Sequence, residues 1–312
     1  MSTDMIDPTV QPPADVPDTA TARVARKRLS KWTLYSRRYA RNRGAMIGLG
    51  IFVFIVLFAV FGPLIARYAH EHMDFLNLST GPSADHWFGT NSAGNDLFAQ
   101  VAVGLQRSLM IAITVSVGVT IVSALVGTAA AYFGGWTERI ALLVIHFMMV
   151  IPSFLILAMI SNKSGGDWRV IALIMIFVIG WYFPARIIWT MALSLREREY
   201  VSAARYMGVS GMRIVLRHLL PNIGSLLVIN FTLGVVNAVV TETGLSYLGF
   251  GVKIPDVSLG ALIGSGSGSL STAPWLFLFP AAALTLLTVS MALVADGLRD
   301  ALDPTSAAGG RA

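Results

Sequence analysis

Six stretches of roughly 20 residues, almost free of charge, dominate the 312-residue chain. A bilayer's hydrocarbon core of about 30 Å is crossed by about 20 helical residues rising about 1.5 Å each. The stretches cover about 45–66, 108–133, 140–160, 170–189, 223–240 and 275–294. The fourth holds Arg186 near one end, where a long side chain reaches the interface while its stem stays in lipid. Open strands leave unpaired backbone groups in hydrocarbon, so these segments are expected to be helices. Only 13% of the residues are charged and 55% are hydrophobic. A soluble domain carries about a quarter charged residues, so the fold class is an all-α polytopic membrane protein in a lipid bilayer.

The Lys and Arg residues set the expected orientation. Eighteen of the 23 fall on the side that holds the N-terminal segment, Arg139, residues 186–217 and the C-terminal tail. Five (Arg67, Arg107, Lys163, Arg169 and Lys253) fall on the other. Both termini are therefore expected in the cytoplasm. A net charge of +6 and a pI near 9.8 belong to this bias, and no nucleic acid partner is expected. The absence of cysteine removes disulfides, thiolate metal sites and a cysteine nucleophile.

Residues 1–30, rich in Pro, Thr and Asp, have no apolar periodicity and are expected to be disordered. The first apolar run begins too far in and is too long for a cleaved signal, so it is expected to remain as a helix. A basic juxtamembrane segment at 31–44 precedes a six-helix domain at 45–304, followed by a tail at 305–312. Residues 242–274 form an external segment whose Gly/Ser-rich part, LGALIGSGSGSLSTAP, reads as a loop or a re-entrant piece. GSGSGS at 264–269 resembles a phosphate loop without its lysine and reads as flexible.

The long loop at 193–222, LSLREREYVSAARYMGVSGMRIVLRHLLPN, has helical grammar. Ser194 with Glu197 fits a capping box. Tyr200, Ala203, Ala204 and Met207 fall on one apolar stripe, opposite Arg198, Ser202 and Arg205. Gly208 stands where a left-handed cap would end the helix. Ser210 can start a second helix, and Pro221 closes the loop at the fifth span. Periodicity leaves two readings open: a hairpin lying in the membrane surface, or a knob inserted in the groove of a soluble partner.

Ala203–Ala204, Gly208 and Leu220–Pro221 resemble the EAA loop of binding-protein-dependent ABC importer permeases. Flanking words narrow the likeness to the C-type subunit of dipeptide and oligopeptide importers. HWFGTNSAGNDLF (86–98) is similar to that family's H-x-x-GTD-x-x-GRD segment. AYFGGWTE (131–138) followed by IPSFLIL resembles its GY-x-GG…P stretch. ETGLSYLGFGVKIPDVSLG (242–260) resembles E-x-x-LSFLGLG…P-x-P-S-x-G, and DGLRDALDP (296–304) resembles the family's ending.

The resemblance implies a non-catalytic subunit that pairs with a homologous second permease, two ATP-binding subunits and an extracytoplasmic solute-binding protein that delivers peptide. No cofactor is implied for this chain, and no G-x-x-x-x-G-K-[ST] occurs in it; ATP and Mg belong to the partner ATPases. Glu199, Tyr200, Ser202, Ala203, Ala204, Met207, Gly208, Leu220 and Pro221 would carry ATPase coupling. Gly89, Thr90, Asp96, Glu242, Leu245, Ser246, Gly249 and Gly251 would form an external gate or binding-protein contact. No catalytic or metal-binding residue is expected.

The sequence departs from the family at Ser202, where a glutamate is usual and Glu199 stands nearby. It departs again at Asn91 and Asn95, which replace an ion pair, and at Leu143 and His146. His146 reads as hydrogen-bonding a neighbouring helix, with a proton relay as the alternative. Other cargoes of related permeases (nickel, opines, glycosides, murein peptides) and a stand-alone carrier or channel are the rival readings.

Overall fold

A computed structural model describes residues 31–163, 165–253 and 256–302. The expected N-terminal disorder and the 305–312 tail lie outside these residues. The described residues form thirteen α-helices, two π-helical turns and no strand, only two isolated bridges. They are α1 (Lys31–Arg41), α2 (Arg43–Ile65), α3 (Leu97–Phe133), α4 (Gly135–Val150), α5 (Ser153–Lys163) and α6 (Trp168–Ile174). A π-helical turn, Met175–Gly180, leads into α7 (Tyr182–Arg196). Then come α8 (Glu199–Tyr206), α9 (Gly211–Ile214), a second π turn (Val215–Leu219) and α10 (Leu220–Asn222). The long α11 (Gly224–Tyr247), the short α12 (Leu259–Ser267) and α13 (Trp275–Leu302) complete the chain.

Four helices, α2, α3, α11 and α13, are long and apolar enough to cross a membrane by themselves. Two bent pairs bring the total to six if each is one span: α4 with α5, bent by 76°, and α6 with its π turn and α7, bent by 45°. Each bend has a proline at its cause. Pro152 has no N–H to continue α4, and it holds Ile151 extended at φ −70°, ψ 132°. Pro184 cannot donate to Gly180 four residues back, and the helix loosens to π pitch there. The expected third and fourth spans are thus broken rather than straight.

Other boundaries also move. The basic segment at 31–44 is itself helical, and Asn42 caps α2 through a bond from Ala45 N (3.1 Å). The second span begins at Leu97, eleven residues before the expected start, because Asp96 caps it from Ala99 N (3.0 Å). The Gly/Ser-rich stretch forms α12, capped by Ser258 through Ala261 N (3.2 Å), so GSGSGS is largely helix rather than a flexible loop.

Inside a bilayer, lipid competes with side chains for apolar contact, so helices gain mainly from close fit. Glycines provide it at two crossings. A Cβ at Gly62 would stand 2.7 Å from Cβ of Ala102, and one at Gly127 would stand 2.6 Å from the carbonyl of Ala185. The centre of the bundle is α3, which packs against α2, α7 and α11, while α13 closes against α2. Asn42 Nδ2 donates to Asp300 Oδ2 (3.0 Å), joining the start of α2 to the end of α13. That places both ends of the bundle on one side, here called the basic end. Residues 66–96 and α12 lie at the opposite, cap end.

Candidate functional site

Three places carry polar or exposed features that the helical bundle alone does not require. The first is the loop at the basic end. Its α8 begins at Glu199 with Arg198 as N-cap, so the expected capping box fails: Ser194 lies within α7 and bonds Met191 O (2.8 Å). The helix ends as expected. Gly208 takes φ +78°, its N–H donates to Arg205 O (3.0 Å), and Val209 N donates to Ala204 O (3.1 Å). This paired closure is a Schellman cap. A Cβ at Gly208 would meet nothing within 4 Å, so within this chain the glycine answers to backbone conformation, not to space.

The expected apolar stripe divides in two. Ala204 turns inward with Val201, and both pack in a small core with Ile214, Val215 and Leu219. Tyr200, Ala203, Met207 and Gly208 are exposed, as is Glu199, while Ser202 is half-buried. Helical pitch accounts for this: Val201 and Ala204, three residues apart, face the bundle, and the neighbouring positions cannot. Tyr206, which the periodicity left out, is the most exposed at 91%, beside Met207 at 76%. Leu220 packs against the small core and Pro221 is exposed, in the turn that passes directly into α11.

This loop sits on the end of α3. Arg196 Nη1 caps the carbonyl of Ala131 (2.8 Å), and the Arg205 guanidinium lies 5.3 Å from the Tyr132 ring centre. Gly211 approaches so closely that a Cβ there would stand 2.8 Å from both Tyr132 and Phe133.

At the cap end, residues 66–96 fold into a hydrogen-bonded layer. Asp96 Oδ1 lies 2.9 Å from His86 Nδ1, while its other oxygen caps α3. Tyr68 stacks on the His86 ring at 4.8 Å. Thr90 accepts from Thr80 N (3.0 Å) and donates to Asn77 O. Trp275 Nε1 donates to Thr90 O (3.3 Å), and Phe88 stacks flat on Phe279, which fastens the layer to α13. Asn91 and Asn95 bond as amides: Asn91 Nδ2 donates to Asn95 Oδ1 (3.1 Å), and Asn95 Nδ2 to His72 O (3.0 Å). Hydrogen bonds from Asn77 and from Leu76 N hold the Asp74 carboxyl below its ordinary range.

Thr90 and Asp96 are buried in this layer, and Gly89 is held at φ +82° under Trp275. All three are buried within the layer rather than on its surface. Phe75 and Leu76, 74% and 94% exposed, are the most exposed large apolar side chains of the cap.

Beneath the cap lies a buried hub. Glu242 of α11, 1% exposed, accepts from Ser246 Oγ (2.6 Å) and Ser108 Oγ (3.3 Å). Ser246 in turn accepts from Val252 N (3.2 Å) and bonds Ser258 Oγ (3.3 Å), and Leu259 N donates to Ser108 (3.3 Å). One carboxyl thereby joins α3, α11 and the start of α12. Leu245 is fully buried beside it. Gly249 at φ +80° closes α11 with the bonding pattern seen at Gly208, and Gly251 lies against Ser246. Glu242 and its serines therefore tie the start of α12 to α3 and α11. Arg107 adds an ion pair to Asp256. His146 is exposed on α4 and makes no hydrogen bond among the described residues, so its expected interhelical bond is not formed within them. Among the described residues no three His, Asp or Glu side chains gather as metal ligands.

Helices able to cross a membrane leave the family open, and comparison with known proteins decides it. Residues 120–307 match the family described as binding-protein-dependent transport system inner membrane component. The chain belongs to this family. Residues 30–82 of the permease also match the N-terminal TM domain of oligopeptide transport permease C. The oligopeptide transport system permease protein OppC of Mycobacterium bovis is 43% identical over 278 residues, covering 89% of this chain and 96% of that protein. The protein of the same name from Bacillus subtilis is 35% identical, covering 90% and 92%. A putative peptide permease protein of Brucella suis is 36% identical, covering 86% and 89%. The permease is thus a multi-pass protein of the bacterial inner membrane.

Proposed function

We propose that this permease is the membrane subunit of an ATP-driven importer of short peptides, with α8 as the docking knob for an ATPase subunit. The observation that carries the reading is the exposed pair Tyr206–Met207 on a rigidly capped, internally packed helix. Exposed aromatic and methionine side chains on a stiff mount suit a groove in a partner, since little conformational freedom remains to be lost on docking. The mount is continuous with α11 through α10, so force on the knob reaches a membrane span within a few residues.

In this reading the basic end faces the cytoplasm, in keeping with the Lys and Arg bias. A homologous second permease completes the path, and two ATP-binding subunits hold ATP and Mg; this chain binds no cofactor and catalyses nothing. An extracytoplasmic solute-binding protein docks at the cap end, where Phe75 and Leu76 offer exposed apolar surface. ATP and loaded binding protein act by favouring different members of one conformational equilibrium. Peptide cargo is supported by the names of the oligopeptide and peptide permeases that the chain resembles.

Reconstitution tests this directly. Vesicles holding this chain with its second permease, ATPases and binding protein should accumulate labelled tripeptide only with ATP. Saturable uptake by the chain alone would overturn the reading in favour of a stand-alone carrier. Uptake of nickel or a glycoside instead of peptide would overturn the cargo.

A further inference from the structure

One face of α11 carries uncharged polar side chains through the depth of the membrane. Asn230, Gly234, Asn237 and Thr241 recur at four, three and four residues, which is one helical stripe. It lines a cleft of about 410 Å³ whose other walls are α3, with Thr120, and the π turn and start of α7, with Phe183. No charged residue lines this cleft. Asn237 is exposed in the middle of a span, and the buried Asn230 Nδ2 has no hydrogen-bond partner among the described residues. An amide facing hydrocarbon is costly, and an unpaired buried donor costs about 1–3 kcal/mol. The exposed Asn237 amide calls for something polar in front of the stripe.

We propose that this stripe lines the transport path and holds the main chain of a peptide in transit. The proposal deepens the peptide-importer reading and rests on it. A peptide main chain presents one N–H and one C=O at nearly every residue, whatever its side chains. An asparagine amide offers both a donor and an acceptor to match them. From Asn230 to Thr241 the helix rises about 16 Å, the length of about five residues of extended peptide. Without fixed charge the lining neither selects nor rejects acidic or basic cargo. The apolar walls at Phe183 and Leu233 allow the side chains to pass without tight retention. The stripe ends at Thr241, the residue before Glu242 of the hub, and starts at Asn230, about two helical turns above the end of α10.

The chain has no native cysteine, so single cysteines can be read without background. In the complete importer, N230C, N237C and T241C should react with a membrane-impermeant maleimide at least about tenfold faster than F54C and L286C, which are exposed on other helix faces. Rates equal to those controls would overturn the proposal. Asn237→Leu should lower uptake of neutral, acidic and basic tripeptides by one common factor of about ten, the loss expected for one main-chain hydrogen bond. Asn237→Ser, which keeps a polar group, should recover most of it. Unchanged uptake in Asn237→Leu, or a loss confined to one charge class, would overturn the main-chain assignment. Absence of peptide uptake by the unmodified importer would instead remove the functional reading on which the proposal stands.

Discussion

Gly208 and Gly249 close helices with the same pair of hydrogen bonds, yet the segments they close lie in opposite surroundings. Beyond Gly249 the chain turns into a buried web in which Glu242, Ser246, Ser108 and Ser258 satisfy one another. Around Gly208 there is open space, with Tyr206 and Met207 exposed beside it. The hub consumes its polar groups internally; the knob leaves apolar groups exposed. On the proposed function, a membrane subunit pushed at the knob and held together at the hub uses this difference. The hub resists local change, whereas the knob keeps contact surface for another protein.

That contrast can be broken by substitution. Gly208→Asp should leave the permease folded in the membrane while ATP-driven uptake falls to background, measured as membrane level against tripeptide accumulation. Normal uptake would remove the docking role. Glu242→Ala should do the reverse. It strips the hydrogen-bond acceptor from two buried serines, and the folded state should lose about 1–3 kcal/mol, read as a lowered thermal midpoint in detergent. An unchanged midpoint would mean that the hub is not a structural weld. Gly208→Ala is milder: alanine in the left-handed region costs about 1–2 kcal/mol, so α8 should fray at its end and uptake should fall only in part. Hydrogen exchange at Gly208 and Val209 checks this, and unaltered protection would show that the cap is not held by its backbone.

The smallest effect lies in the cap layer. Asp74 is held below its ordinary range by Asn77 and Leu76, so its contribution is complete above the unfolded carboxyl value of about 4. It is lost as pH falls through the depressed folded value. Asp74→Asn should therefore lower the thermal midpoint slightly at neutral pH, and the difference from the parent should vanish in strong acid. A difference that persists there would contradict the assignment.

The spans were legible because hydrocarbon leaves a chain little choice: residues 45–66 and 275–294 must be helical whatever they pack against. The bends at Pro152 and Pro184 were less so, because a proline within an apolar run is compatible with a straight span, a kink or a break. The α12 helix was hidden by its Gly and Ser content, which local propensity assigns to loops; packing of Gly260 against Thr243 requires small residues there and overrides propensity. In the knob, a 3.6-residue period located the helix but not which face turns inward. Periodicity puts Ala204 on the contact stripe, although tertiary packing against Ile214 and Leu219 claims it, and it gives no sign of Tyr206, because an exposed aromatic leaves no periodic trace. The α11 stripe escaped for a related reason: two asparagines and a threonine in 24 residues become a face only once the helix register is known.

The central claim is that the knob meets an ATPase, and a cross-link is its most direct test. Met207→Cys, loaded with a short photoactivatable reagent in native membranes, should form an adduct with the ATP-binding subunit that strengthens when ATP is bound. The same reagent on Phe75→Cys at the cap should give none. An adduct from Met207→Cys to lipid alone, or to the extracytoplasmic binding protein, would contradict the account.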